Sequence, residues 1–167
     1  VVAVKDALER PFLLASFHGD TNGLATKPVF GAVAALAARM PDHALLFGMD
    51  ANTYETGSAD KQGVADFAAD FRSKGYTSCW GDAPDPHNHT TFNARTYLQP
   101  QLQKAAKASE LVAKGDKNPK DMILFPVGVY AVASTTKDNT GQRRYAVNMV
   151  SPTLAFPSDH GILSTVL

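Results

Sequence analysis

The stretch PFLLASFHGDTNGLATKPVFGAVAALAARMPDHALLFGMDAN, residues 11–52, contains two short apolar runs that flank a segment of helical periodicity. Residues 11–17 and 44–49 are compact apolar runs, a pattern typical of buried β-strands. Between them, apolar side chains recur at helical spacing over residues 28–40, with Thr26 as the predicted N-cap. Strand, helix and strand in such a short stretch predict a βαβ-like unit, in which chemistry lies at the strand ends.

The rest of the chain extends this unit. A second helix is expected at residues 60–74, where an apolar face is followed by Gly75, and a short strand is expected at residues 76–80. The remaining predicted elements are an exposed helix at residues 101–112, a strand at 122–125, a hairpin of 129–134 with 143–147, and a last strand at 161–167. Together these elements predict one α/β (α+β) domain over residues 1–167.

The composition of the chain argues against several classes of protein. Lys plus Arg equals Asp plus Glu at 16 each, so the chain has no overall basic field that would favour non-specific binding to nucleic acid. The single Cys79 excludes an internal disulfide and fits a reducing compartment, so an intracellular protein, cytoplasmic or nuclear, is expected. A secreted protein without disulfides would have the same composition. No apolar run approaches the roughly 20 residues that cross a bilayer, so no membrane span is expected. The first residue is Val1 rather than Met, which suggests a longer protein upstream.

Polar side chains recur at the ends of the predicted apolar strands. Ligands gather at strand ends in α/β sheets, and Asp, Asn and His offer a metal carboxylate, an amide donor and a proton carrier. A single Asp at a strand end is more often a turn former or a helix cap, so the signal is the recurrence. The residues at these positions are His18, Asp50, Asn52, Asp121, Asp159 and His160.

The order of these motifs resembles the second half of the endonuclease/exonuclease/phosphatase superfamily, which includes DNase I-like nucleases, sphingomyelinases and inositol polyphosphate phosphatases. The most specific matches are FPSDH at residues 156–160 and FGMDAN at residues 47–52, and the similarity extends over residues 18–167. The family usually has Gly directly before the Asp, where this chain has Met49. The resemblance implies half of a four-layer α/β sandwich, with a mixed β-sheet and helices on one face.

The resemblance also implies a role for each catalytic residue. Asp50 would orient or activate the attacking water, and Asn52 would hold a non-bridging phosphate oxygen. His160 would act on the scissile phosphate as a base or charge stabiliser, with Asp121 fixing its tautomer, as a histidine of this kind needs a carboxylate partner. His18 would contact the phosphate or serve as the leaving-group acid.

A divalent cation, Mg²⁺ or Mn²⁺, would be held by Asp159 and Asp50 according to the same resemblance. Arg95 is a candidate substrate-phosphate contact because a guanidinium matches phosphate oxygens, and it is about as compatible with a surface arginine. The implied activity is hydrolysis of a phosphodiester or phosphomonoester by an activated water. The substrate would be a nucleic acid, a phospholipid headgroup or an inositol phosphate.

The family's first half normally supplies a Glu to the metal, and no matching segment precedes His18. A missing N-terminal half, or a second chain, is therefore expected to complete the metal site and to cover the sheet. The alternative function is a non-catalytic binding or scaffold module with a degenerate phosphoesterase fold, which Met49 leaves open. A nucleotide-binding α/β domain is disfavoured, because neither Gly-rich phosphate-binding motif occurs.

Three other polar features are given ordinary structural interpretations. Residues 19–23 are expected to form a polar turn. His87 and His89 lie in a Pro-rich stretch without an obvious third metal ligand, so they are expected to be solvent-exposed. The lysines of residues 99–120 are expected to form a solvated face.

Overall fold

The structure is a computed structural model that describes residues 1–93, 116–147, 149, 151–153 and 155–167. Arg95 and the helix predicted at residues 101–112 lie outside the described residues. The elements in chain order are β1 (Val2–Lys5), β2 (Pro11–His18), α1 (Thr26–Ala38), β3 (Ala44–Asp50), α2 (Val64–Ser73), β4 (Tyr76–Ser78), β5 (Thr91–Asn93), β6 (Asp116–Asn118), β7 (Asp121–Pro126), β8 (Ser134–Asp138) and β9 (Ile162–Val166). Within this part of the chain, no helix is both long and apolar enough to span a membrane.

The main sheet has five strands in the order β1-β2-β3-β7-β4. Strands β2 and β3 are parallel and are joined by α1, as predicted for a βαβ unit, whereas the other neighbouring strands are antiparallel. The chain is therefore a mixed α/β structure. Strand β1 was not predicted, because three of its four side chains are exposed and no burial pattern marks it.

Both helices pack on one face of this sheet through aromatic side chains. The Phe30 ring of α1 lies 6.4 Å from the Phe47 ring of β3 and 5.9 Å from the Phe67 ring of α2. All three side chains are at most 1% exposed. Strand residues directly opposite one another share a face, so Leu45 and Leu124 join the same buried layer.

The opposite face of the sheet is only partly covered by the described residues. Leu14 is 39% exposed there, and Leu46 and Ile123 are half-buried. A Cβ added to Gly48, in the middle of β3, would meet no atom within 4 Å. The described residues thus form one main sheet with a helical layer on one side, and the four-layer sandwich remains a prediction.

The hairpin predicted from residues 129–134 and 143–147 is wrong. Strand β8 pairs instead with the last strand, β9, in a separate two-stranded sheet, so β9 does not join the main sheet. The physical reason is the Asp138 side chain, which accepts hydrogen bonds from the backbone N–H groups of Thr140, Gly141 and Arg143. These bonds close a compact loop directly after β8, and residues 143–147 form no strand.

Two predicted helix starts also need correction. The residue at the N-cap of α1 is Ala25, which makes no side-chain capping bond, and Thr26 lies inside the helix. The Thr26 hydroxyl donates to the Ala51 carbonyl at 2.7 Å, which ties the helix to the end of β3. Helix α2 begins at Val64 rather than residue 60, since the chain first brings Gly57 and Gly63 into a close backbone contact that no side chain would fit.

Candidate active site

Three polar side chains form a row across the ends of three neighbouring strands. His18 ends β2, Asp50 ends β3 and Asp121 begins β7. The register pairs His18 with Asp50 and Asp50 with Asp121. Because paired residues project from the same face, all three side chains lie on the side of the sheet opposite the helices.

His160 joins this row from the C-terminal segment. Its backbone forms an isolated bridge with Thr91, and the next residue, Gly161, donates its N–H to the Thr90 carbonyl at 2.8 Å. The His160 ring places Nδ1 2.8 Å from Asp121 Oδ2 and Nε2 3.6 Å from Asp50 Oδ2. Since an ionised carboxylate can only accept, Nδ1 carries the proton and Nε2 faces Asp50.

His18, Asp50, Asp121 and His160 form a cluster of polar side chains. Asn52 belongs to this cluster, and its hydrogen bonds orient Asp50. Its backbone has a φ of 48°, in the left-handed region that Asn tolerates better than most residues. The Asn52 backbone N–H donates to Asp50 Oδ1 at 2.8 Å, and its side-chain amide donates to Asp50 Oδ2 at 3.2 Å and to the Gly19 carbonyl at 2.9 Å. Both amide hydrogens are thus used within the protein, and Asn52 positions Asp50.

Lys120 belongs to the cluster, although the sequence pattern assigned it to a solvated face. Its Nζ donates to Asn52 Oδ1 at 2.6 Å and lies 5.0 Å from the centre of the Tyr54 ring. Among the described residues, no carboxylate lies within salt-bridge distance of this ammonium. The sequence signal that was available is its position directly before Asp121.

Thr90 is a second residue that the sequence pattern did not single out, and it holds the cluster together. Its buried hydroxyl accepts the backbone N–H groups of Lys120 and Asp121, each at 3.0 Å. Its carbonyl accepts the N–H of Gly161. The start of β7 and the segment that carries His160 are therefore both fixed to one residue.

Burial and neighbouring charges shift the pKa values of two groups of the cluster. Burial raises the pKa of Asp50, helped by the nearby Asp121 charge and opposed by His160, the Asn52 N–H and His18. Burial would lower the pKa of His160, but the hydrogen bond to Asp121 and the surrounding carboxylates outweigh it, so the pKa of His160 is raised. Both protonated forms therefore favour the folded state, and this contribution is lost as pH rises through the raised pKa values.

The side chains of Asp50, Asp121 and His160 each offer one ligand atom, and these atoms lie within 4.8 Å of one another. The two carboxylates suit a divalent cation such as Mg²⁺ or Mn²⁺, with water and substrate completing its coordination, whereas an imidazole is a ligand that transition metals prefer. Asp159, which the resemblance makes a ligand, is not in this set. Its carboxylate contributes to the raised pKa of His160.

The side chains of Asp20, His87 and His89 are not part of the cluster. Asp20 accepts the backbone N–H groups of Asn22 and Ala25, as expected for a polar turn. The His87 side chain is 76% exposed, as expected. His89 differs from the expectation, because it is half-buried and its Nε2 pairs with the Glu55 carboxylate.

No protein-family model matches the chain, and no curated protein matches it. The resemblance to the endonuclease/exonuclease/phosphatase superfamily therefore depends on the motifs alone. A function has to be argued from the chemistry of the clustered side chains.

Proposed function

We propose that the chain carries the site of a divalent-metal-dependent phosphoesterase, which hydrolyses a phosphodiester or phosphomonoester with an activated water. One observation carries this proposal: the Asp121–His160 pair lies beside the Asp50 carboxylate at the ends of adjacent strands. Phosphoryl transfer requires little covalent work from a protein. It requires an oriented nucleophile, a proton carrier and compensation of negative charge. For these tasks the cluster offers the Asp50 carboxylate to orient a water, the His160 imidazole and the Lys120 ammonium.

The side chains divide this work by position. Asp121 holds His160 in the tautomer with the proton on Nδ1, so Nε2 takes a proton from water or stabilises the phosphate once protonated. Asp50, oriented by Asn52, accepts a hydrogen bond from the attacking water. His18, whose side chain is 79% exposed and whose Nε2 lies 3.5 Å from Asp50 Oδ2, would donate a proton to the leaving group.

The bound cation would be held by Asp50 together with Asp121 or Asp159. It would neutralise charge on the phosphate oxygens and lower the pKa of a bound water. The same positive charge would offset the burial that raises the pKa of Asp50.

Lys120 supplies a further positive charge for the phosphate. We expect Lys120→Met to lower kcat/KM about tenfold, because a charge-assisted hydrogen bond to phosphate is lost while the aliphatic stem is kept. Steady-state kinetics on a phosphodiester measures this. Lys61→Met is the matched control, since the Lys61 ammonium lies 4.8 Å from the same Tyr54 ring without contacting Asn52. Equal losses in the two variants would remove Lys120 from the site.

The central test is hydrolysis of bis(para-nitrophenyl) phosphate with and without Mg²⁺ or Mn²⁺. We expect activity that a chelator abolishes and that added cation restores. The assay uses the 167-residue chain beside a version extended upstream by about 150 residues, roughly one half-domain. If neither version hydrolyses any phosphate ester, the scaffold alternative replaces the enzyme.

The extended version is expected to be the more active one. A second half-domain would supply the additional metal ligand and would pack on the sheet face around Gly48 and Leu14. Equal activity of the two versions would refute this part of the proposal and leave the cluster as the complete site.

The scaffold alternative is favoured by one specific observation. Both amide hydrogens of Asn52 are already bonded, to Gly19 and to Asp50, so Asn52 has no hydrogen left for a phosphate oxygen. If the protein is an enzyme, the Asn52 amide has to release one of these hydrogen bonds when the substrate binds. Otherwise Lys120 has to contact the phosphate oxygen in its place.

A further inference from the structure

The Asp50 carboxylate faces two imidazole rings at once. Its Oδ2 lies 3.5 Å from His18 Nε2 and 3.6 Å from His160 Nε2. Both distances exceed those of ordinary N–H···O hydrogen bonds, which are about 2.7–3.2 Å. Among the described residues, no other carboxylate lies within ion-pair distance of two histidines. One oxygen and two imidazole nitrogens therefore surround a common space at the end of β3.

The spacing of these three atoms suits a shared metal ion. Two ligand atoms that each lie about 2.0–2.1 Å from a tetrahedral Zn²⁺ are about 3.4 Å apart. The distances from Asp50 Oδ2 to the two Nε2 atoms are close to this value. Asp50 and His160 already offer ligand atoms within 4.8 Å of each other, and the His18 ring can turn toward them because its side chain is 79% exposed. Three protein ligands would leave a fourth position for water.

The groups behind two of these ligands hold them in place. Asp121 accepts the Nδ1 proton of His160 at 2.8 Å, so Nε2 of the neutral ring keeps its lone pair toward Asp50. Asn52 donates its backbone N–H to Asp50 Oδ1 and its side-chain amide to Asp50 Oδ2. Metal-binding histidines in proteins are usually supported by a carboxylate on their other nitrogen. His160 and Asp50 therefore need no rearrangement before a metal ion binds.

The ligand atoms also select the class of metal. Two imidazoles with one carboxylate and an open position form the ligand set of several zinc hydrolases. Mg²⁺ prefers oxygen ligands and retains several waters, so the two imidazoles favour a transition metal over Mg²⁺. This ligand set shares only Asp50 with the carboxylates proposed to hold Mg²⁺.

We propose that His18, Asp50 and His160 bind one Zn²⁺ ion, and that this ion inhibits the hydrolysis. The inhibition depends on the proposed function, whereas the binding does not. With a metal ion on Nε2, His160 has no lone pair left to take a proton from water. His18 is likewise prevented from donating to the leaving group, and Asp50 is withdrawn from the Mg²⁺ ion. The enzyme would then be active only where free Zn²⁺ is scarce.

The first test measures binding and requires no turnover. The Zn²⁺ affinity is measured by competition with a chromophoric chelator, and the histidine ring nitrogens of the isotope-labelled chain are followed by NMR. We expect one Zn²⁺ per chain, with the Nε2 signals of His18 and His160 shifting together. A chain that binds no Zn²⁺, or one in which only the signals of His87 and His89 shift, would overturn the site without touching the proposed function.

Variants then test the ligands one by one. His18→Ala and His160→Ala are each expected to weaken Zn²⁺ binding about a hundredfold or more, since loss of an outer partner alone costs roughly 10–100-fold. His87→Ala is the matched control and is expected to bind like the wild type. The His87 side chain is 76% exposed with its Nδ1 3.3 Å from Asp85, against 79% and 3.5 Å for His18 and Asp50.

The exposed position of His18 keeps this test decisive. If His160→Ala does not fold, His18→Ala carries the comparison alone, because removal of an exposed side chain leaves the core intact. Wild-type Zn²⁺ affinity in a folded His18→Ala chain would refute the site. An equal loss of affinity in His87→Ala would also refute it.

Kinetics tests the inhibition. Hydrolysis of bis(para-nitrophenyl) phosphate with saturating Mg²⁺ is measured at increasing Zn²⁺ concentration. Because para-nitrophenolate leaves without first taking up a proton, His18→Ala keeps a rate that can be measured. We expect Zn²⁺ to inhibit the wild type, a zinc chelator to restore its activity, and His18→Ala to require about a hundredfold more Zn²⁺ for the same inhibition.

Three outcomes would contradict all or part of this inference. Equal Zn²⁺ sensitivity of the wild type and His18→Ala would overturn the inhibition, and so would hydrolysis supported by Zn²⁺ alone. Zn²⁺ bound at His18 and His160 of a chain that hydrolyses no phosphate ester would support the site, but it would contradict the proposed function and the inhibition with it.

Discussion

Asp50→Asn is expected to lower kcat/KM for a phosphodiester by a hundredfold or more, on the order of the effect of removing one positioned acid or base. The substitution keeps the shape of the side chain and removes the negative charge that faces His18 and His160. Because burial raises the pKa of Asp50, its ionised form disfavours the folded state at neutral pH. The variant is therefore expected to unfold at the same temperature as the wild type or higher.

This combination separates chemistry from folding. Activity is measured by steady-state kinetics with saturating Mg²⁺, and unfolding is measured by circular dichroism. Asp42→Asn is the control, since Asp42 is an exposed carboxylate in the loop before β3, at the far end of the same strand. An Asp50→Asn enzyme with near wild-type activity and unchanged metal dependence would show that Asp50 has no catalytic role.

Asp121→Asn is expected to lower activity by a similar factor and also to change its pH dependence. The Asp121 carboxylate fixes the proton on His160 Nδ1 and raises the pKa of His160. If neutral His160 is the base, activity rises as pH rises through this pKa. Without the carboxylate the pKa of His160 falls, so the acidic limb of the profile moves to lower pH while the maximum rate drops.

The profile is measured between about pH 5 and 9, together with an NMR titration of the His160 ring. Asp70→Asn is the matched control, because the Asp70 side chain on α2 is 20% exposed against 16% for Asp121 and is paired with Lys74, the residue directly after that helix. An acidic limb that moves to higher pH, or does not move, would contradict the base role of His160.

The fold was predictable where its pattern is local. In residues 11–52, two compact apolar runs predict the strands, and apolar side chains at helical spacing predict the helix between them. The partner of β8 was not predictable in this way. Its five residues pair with Ile162–Val166, and nothing in their own spacing distinguishes this distant partner from a nearby hairpin strand.

The residues of the cluster also differ in whether the local sequence predicts them. His18, Asp50 and Asp121 were predictable because each marks the end of an apolar strand, and the sheet register then aligns them. Lys120 and Thr90 were not, since each acts through a hydrogen bond to a residue far along the chain. The partners are 68 positions apart for Lys120 and Asn52, and 31 positions apart for Thr90 and Asp121.

The attachment of His160 has a consequence for how the protein responds to heat. The segment around His160 is joined to the cluster by one isolated bridge to Thr91, the Gly161–Thr90 hydrogen bond and the ring contact with Asp121, while its own sheet is the small β8–β9 pair. Among the described residues, Leu163 of β9 also packs against the main core, and a segment attached at such separate points can open locally at a lower free energy than the whole domain unfolds. The histidine can therefore leave while Asp50 and Asp121 stay in the intact main sheet. This local opening equilibrium then sets the fraction of the protein in which His160 lies beside Asp50 and Asp121. Any ligand that binds both Asp50 and His160 shifts the equilibrium toward the state in which the segment is attached.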